Sequence, residues 1–123
     1  MDIRLQTQHV VLPRRALSRI RSRVRDGLER MTERVARLQV TLKDINGPRG
    51  GRDKVCILRA ELVDGGQVVV IDRAANLRRA IARCLQRSKR VIDREVKRRQ
   101  RARRRIRRAR RRSERQVVLT SAI

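Results

Sequence analysis

From Lys97 to Arg115 the only apolar side chains are Ala102, Ile106 and Ala109. This stretch has no face to bury, so any hydrophobic core must be built from the residues that precede it. The same stretch holds the run RARRRIRRARRRSER, in which ten of the fifteen residues from Arg101 to Arg115 are arginine. No Gly or Pro occurs beyond Asp72, and Arg and Ala are good helix formers. The run therefore reads as a helical extension that frays or disorders when free. Its ligand should be a dense array of phosphates, because guanidinium forks grip phosphate oxygens bidentately. Base stacking is not expected, since the 123 residues include no Phe, Tyr or Trp.

Charge separates the chain into two parts. Residues 1 to 86 carry 19 basic and 9 acidic groups, a net +10, whereas residues 87 to 115 carry 17 and 3, a net +14. The first part reads as a folding domain with a basic face and the second as an arm. The total of +24 points to nucleic-acid or anionic-surface partners. Of the 36 basic residues only Lys43, Lys54, Lys89 and Lys97 are lysine, which suits bidentate phosphate contact and equally fits codon bias. No apolar run approaches the roughly 18 residues of a membrane span, and MDIRLQTQHVV has no signal-peptide pattern, so a cytoplasmic protein is expected. Cys56 and Cys84 have no CxxC spacing and fall on apolar faces, as small core residues do.

Along the chain, Asp2–Gln8 alternates as a half-buried strand, with Ile3, Leu5 and Thr7 on one side. Pro13 opens a helix whose stripe is Leu17, Ile20, Val24, Leu28, Met31 and Val35, with Arg15, Arg19, Arg23 and Arg30 off that stripe and Gly27 inside it. Leu38, Val40 and Leu42 mark a second strand, and residues 44 to 53, DINGPRGGRD, a loop. Cys56, Leu58, Ala60 and Leu62 line one face of a third strand; Asp64-Gly65-Gly66 is a tight turn into a fourth, Gln67–Asp72. Asp72 or Asn76 can cap a second helix with Leu77, Ile81, Cys84, Leu85, Ser88, Ile92 and Val96 on its apolar face. The uncharged QVVLTSAI terminus is β-prone and reads as a flexible end, ahead of an edge strand or a docking tail.

The expected fold is thus α+β: two layers in the order β-α-β-β-β-α, with a four-stranded, mostly antiparallel sheet, both helices on one face, and the second helix extended by the arginine arm. The domain should span residues 1–99 and the basic extension with its uncharged tail residues 100–123.

Catalysis has nothing to build on. His9 is the only histidine and lies at a polar strand exit, no paired carboxylates occur, and GPRGGR lacks the Lys-Ser/Thr of a phosphate loop. No catalytic residue, cofactor, metal or small-molecule substrate is expected. The informative constellation is on the second helix, where Arg83, Arg87, Arg90, Arg94 and Arg98 are spaced four, three, four and four, placing them on one face about 5 to 6 Å apart. That spacing is comparable to the separation of phosphates along a strand. Only Asp93 and Glu95 oppose them between Ala82 and Ser113. Arg78 and Arg79 sit against the helix dipole at its start, where acids are favoured. With Lys97, these eight residues, Arg78, Arg79, Arg83, Arg87, Arg90, Arg94, Lys97 and Arg98, are the expected RNA contacts.

The chain resembles the short ribosome hibernation-promoting factors, the family that includes ribosome-associated inhibitor A. The resemblance covers roughly residues 1–99. It rests on the element order, on VTLK (Val40–Lys43), on the Gly-Gly turn followed by VVVID, and on NLRRAIARCLQRSKR (Asn76–Arg90), which looks like the family's entry into a basic second helix. It implies binding to the small ribosomal subunit and its ribosomal RNA, in the channel that holds messenger and A- and P-site transfer RNA, so that translation is inhibited. The family's basic positions match Arg87, Arg90, Arg94 and Arg98. Arg78 stands where the family has Tyr, Ala82 where it has Asp, and the arm is far richer in arginine. No second, dimer-bridging domain is recognisable, so a monomer is expected. Two further readings compete with this one. The chain could be a general RNA or DNA chaperone or compaction protein acting through the arm, or a protein-interaction module acting through the VVLTSAI tail.

Overall fold

The computed structural model describes residues 1–45 and 53–121, with side chains to residue 117. Its elements are β1 (Asp2–Gln8), α1 (Arg14–Gly27), β2 (Val35–Asp44), β3 (Lys54–Leu62), β4 (Gln67–Ala74) and α2 (Leu77–Ser121). The four strands lie in the order β1-β2-β3-β4. The connection through α1 makes β1 parallel to β2, with Ile3 opposite Leu38 and Leu5 opposite Val40. The two later pairings are antiparallel, with Leu58 opposite Val40 on one side and Val70 on the other. The fold is the expected α+β arrangement.

The alternation read from the sequence decides which face is covered. Ile3, Leu38, Val40, Leu42, Cys56, Leu58, Ala60, Leu62, Val68 and Val70 form one buried cluster with Val24 and Leu28 of α1 and Ile81, Cys84, Ile92 and Val96 of α2. The opposite face carries Arg37, Arg59, Glu61 and Gln67 among other polar groups, and leaves Val69 and Ile71 half exposed.

The first helix is shorter than its apolar stripe. α1 ends at Gly27, a single 3-10 turn covers Glu29–Met31, and Val35 opens β2. Val35 is buried as expected, but from a strand. Val35 follows Met31 at the four-residue spacing of a helix stripe, yet it belongs to β2, where the pairing shifts between Val35 and Arg37, a bulge that puts Val35 and Leu38 on the same covered face. Gly27 is therefore the last residue of α1, where it costs less than in a helix interior.

Between β3 and β4 the chain turns through Val63–Gly66, closed by the Leu62 N–H donating to the Gly66 carbonyl at 2.7 Å. Gly65 has φ +95, a conformation that L side chains rarely adopt. The second helix is capped by Asn76, whose Oδ1 accepts from the Arg79 N–H at 2.9 Å. Asp72, the other candidate cap, lies within β4.

α2 runs unbroken for 45 residues, about 67 Å at 1.5 Å per residue. The 99/100 boundary falls inside it. Residues 116–121, which read as a flexible or β-prone end, continue the helix, since no Gly or Pro after Asn76 breaks it. Most of the DINGPRGGRD loop, residues 46–52, lies outside the described residues.

Candidate nucleic-acid interface

The buried stripe of α2 fixes where its cations point. Leu77, Ile81, Cys84, Leu85, Ser88, Ile92 and Val96 turn toward the sheet, so residues displaced by more than about 100° around the helix face solvent. Arg83, Arg87, Arg90, Arg94 and Arg98 all do, and all five are exposed. The structure places the expected row along one side of α2.

Individually, the eight residues differ. Arg83 and Arg87 lean over β4, the edge strand. Arg83 donates to the Arg73 carbonyl at 3.4 Å, and Arg87 to the Ile71 carbonyl at 2.9 Å and to the Asp72 carboxylate at 3.0 Å. Arg98 is held by Glu95 through two hydrogen bonds of 2.7 and 3.1 Å, and Lys97 pairs with Asp93 at 2.9 Å. The Arg98 hydrogen bond, helped by the charges of Arg98 and Arg99, holds the Glu95 carboxyl below the usual glutamate range. Arg90 and Arg94 make no hydrogen bond or ion pair with other described side chains. Arg78 and Arg79 are exposed in the first turn, away from the middle of the row.

The helices leave an open cleft between them that the sequence reading did not assign. One end is lined by Arg19, Arg23, Asp26, Gly27, Leu85 and Lys89. The adjoining end is lined by Asp26, Met31, Arg30, Arg34, Arg90 and Asp93. Across both, six cations (Arg19, Arg23, Arg30, Arg34, Lys89, Arg90) face two acids (Asp26, Asp93), a net +4. Arg19, Arg23 and Arg30 were recognisable as lying off the apolar stripe. Their convergence on Lys89 and Arg90 was not, because it depends on how the two helices cross the sheet. Arg34 pairs across the cleft with Asp93 at 3.8 Å.

A second group ties the far end of the domain to α2. Arg99 donates to the Asp64 carbonyl at 3.2 Å, and Arg103 pairs with the Asp64 carboxylate at 2.9 Å. A Cβ on Gly66 would meet the Arg99 side chain at 2.9 Å, so the glycine lets the turn close on the helix. From Arg101 to Val117 every residue is exposed.

No three His, Cys, Asp or Glu side chains among the described residues are placed to hold a metal ion. No helix among them is long and apolar enough to cross a membrane. What the surface offers is guanidinium groups in rows and in a cleft, an arrangement suited to phosphates at several points.

No protein-family model matches the chain, and no curated protein matches it. Solved structures do. The N-terminal domain of Protein Y from Thermus thermophilus superimposes with a TM-score of 0.61 at 19% identity, over 76% of this chain and 98% of that domain. A ribosomal subunit interface protein from Coxiella burnetii superimposes with a TM-score of 0.58 at 11% identity, over 78% of this chain and 99% of that one. The chain therefore shares the fold of these two proteins, the fold that the resemblance in its sequence implied.

Proposed function

We propose that this chain is a non-catalytic, ribosome-associated inhibitor of translation that binds small-subunit ribosomal RNA in the messenger and transfer RNA channel. The observation that carries this reading is the meeting of two cationic surfaces on one side of the domain. The Arg90–Arg94 segment of α2 and the Arg19–Arg34 side of the cleft converge around Lys89 and Arg90, with too few acids to neutralise them. Unpaired like charge destabilises the free protein and is relieved when an anion binds. A second support is the fold, which the chain shares with a ribosomal subunit interface protein from Coxiella burnetii.

In this reading residues 1–99 make the specific contact as a cytoplasmic monomer, and the arm adds sequence-independent affinity. The contacts are Arg90 and Arg94 first, with Arg78, Arg79, Arg83, Arg87, Lys97 and Arg98 around them. The test is co-sedimentation with ribosomes through a sucrose gradient in moderate salt. The chain should travel with particles containing the small subunit, and a markedly smaller share of R90E/R94E should do so, its arm retaining only the sequence-independent part of the affinity. Equal co-sedimentation of both proteins would remove the proposed contact.

A second reading follows from the arm. Because every residue from 101 to 117 is exposed, the arginines of the arm can meet any polyanion, as those of a general RNA or DNA chaperone or compaction protein would. Binding to long RNA and DNA with equal strength, and no enrichment on ribosomes, would favour that account.

A further inference from the structure

The unbroken helix joins what the sequence had presented as two features. The row of Arg83, Arg87, Arg90, Arg94 and Arg98 continues without a gap through Arg101, Arg105, Arg108, Arg112 and Arg115, in steps of three or four residues. Over the 32 residue steps from Arg83 to Arg115 it runs about 48 Å along one side of α2.

Beyond the domain a second row begins. At about 100° per residue, Arg103, Arg104, Arg107, Arg110 and Arg111 fall in a neighbouring sector, centred about 130° from the first. Ala102, Ile106, Ala109, Ser113 and Val117 fill the remaining sector. That neutral seam prolongs the side of α2 that faces the sheet inside the domain. The ten arginines of the arm thus cover a continuous arc of about 220°, the two sets meeting at Arg104 and Arg115, with only the neutral seam left uncovered, and the arm contains no lysine. A single strand lying along the helix, or the outside of a duplex, meets one flank only. A groove bounded by two phosphate backbones meets both. The width agrees as well: a helix with its side chains is about 10–12 Å across, and a duplex major groove about 12 Å wide admits one. The Arg99 and Arg103 contacts to the β3–β4 turn hold the arm in line with the domain, so that its flanks keep a fixed orientation.

We propose that the arm seats in the groove of a nucleic-acid duplex, with the Arg101–Arg115 row on one phosphate wall and the Arg103–Arg111 row on the other. The inference is independent of whether the domain binds ribosomes. A duplex groove is the shared chemistry of DNA and of a widened RNA helix. An acidic protein surface would not present two parallel lines of bidentate acceptors.

The test uses the full-length chain and fluorescent probes of roughly 20 base pairs, about two turns: duplex DNA, regular duplex RNA, duplex RNA opened by a bulge, the single strands, and polyglutamate. The duplexes should bind at least tenfold more tightly than single strands. R101Q/R105Q/R108Q/R112Q and R104Q/R107Q/R110Q/R111Q should each lower duplex affinity by similar factors, and each should reduce the slope of log affinity against log salt by roughly 3 to 4. Tighter binding of DNA or bulged RNA than of regular RNA would identify the wall spacing that fits. A109P, which interrupts the helix without changing charge, should abolish the preference for duplex. Loss from the first set alone would mean a one-sided contact and overturn the proposal. So would equal binding of duplex, single strand and polyglutamate with A109P unaffected, because the arm would then be an unstructured polycation.

Discussion

At the scale of single residues, burial and pairing separate side chains that the sequence ranked alike. Leu58 is fully buried in the middle of β3, and Ile81 is buried at the start of α2. Leu58→Ala and Ile81→Ala should each cost about 2–5 kcal/mol through lost burial and the cavity left behind. Chemical denaturation of both variants measures this, and unchanged midpoints would mean that helix and sheet do not share this core. The arginines divide similarly. Arg87 is tied to Asp72 and to the Ile71 carbonyl, so Arg87→Ala should lower stability by about 1 kcal/mol. Arg90→Ala, with no partner among the described side chains, should stay within about 0.5 kcal/mol of the parent. A difference in melting temperature between the two variants reads this directly. Spacing placed both residues on one face but could not show that β4 lies beneath one of them. Glu95 supplies a pH test. Its carboxyl titrates below the usual range because Arg98 hydrogen-bonds the charged form. A depressed carboxylate contributes stability that is complete above the unfolded glutamate pKa and disappears as pH falls through the lower folded value. Carbon-13 titration of Glu95 should give a midpoint below that of glutamate in the unfolded chain, and Arg98→Ala should raise it toward that value.

At the scale of elements, alternation and helical periodicity were legible wherever a segment has one wet and one dry face. Ile3–Leu5, Cys56–Leu62 and Leu77–Val96 carry that pattern and lie where it puts them. It failed at the end of α1, where Met31 and Val35 keep the four-residue spacing of a helix although the helix ends at Gly27 and Val35 opens β2. It was also silent at residues 116–121, where β-prone side chains follow a helix that nothing interrupts. The cleft between α1 and α2 was out of reach for a different reason. Its lining comes from residues about 60 positions apart in sequence, such as Arg30 and Arg90, brought together only by the shared sheet. The clamp on the β3–β4 turn belongs to this scale too. Gly66→Ala would push the Arg99 side chain away from Asp64, since its Cβ would stand 2.9 Å from Arg99 Cδ. Arg99 is a flexible side chain, so global stability should fall by no more than about 1 kcal/mol. Hydrogen exchange should nonetheless quicken locally across residues 99–105. Unchanged protection there would show that the turn does not order the exit of the arm.

At the scale of the whole molecule, charge dominates. A net +24 on 123 residues makes the compact state self-repelling, and residues 100–123 contribute ten arginines and one glutamate, or +9 of that total. Every phosphate contact adds to the salt dependence of binding, by roughly 0.7 to 0.9 in the slope of log affinity against log salt. A protein that binds through both the cleft and the arm should therefore show a slope steeper than about −5. Truncation after Arg99 and the substitution R90E/R94E then act on different quantities. Truncation removes cations that add affinity to any nucleic acid, so it should flatten the slope and weaken binding most at high salt, while inhibition of translation is still reached at a larger protein dose. R90E/R94E leaves the arm intact and reverses charge where cleft and row meet. It should abolish inhibition at every dose, although affinity for bulk RNA falls only modestly. Translation inhibition titrated for both variants at two salt concentrations decides between the domain and the arm. If the truncated chain is inert at saturating dose and R90E/R94E inhibits fully, the arm is the functional element, and the domain serves to hold a 45-residue cationic helix in place.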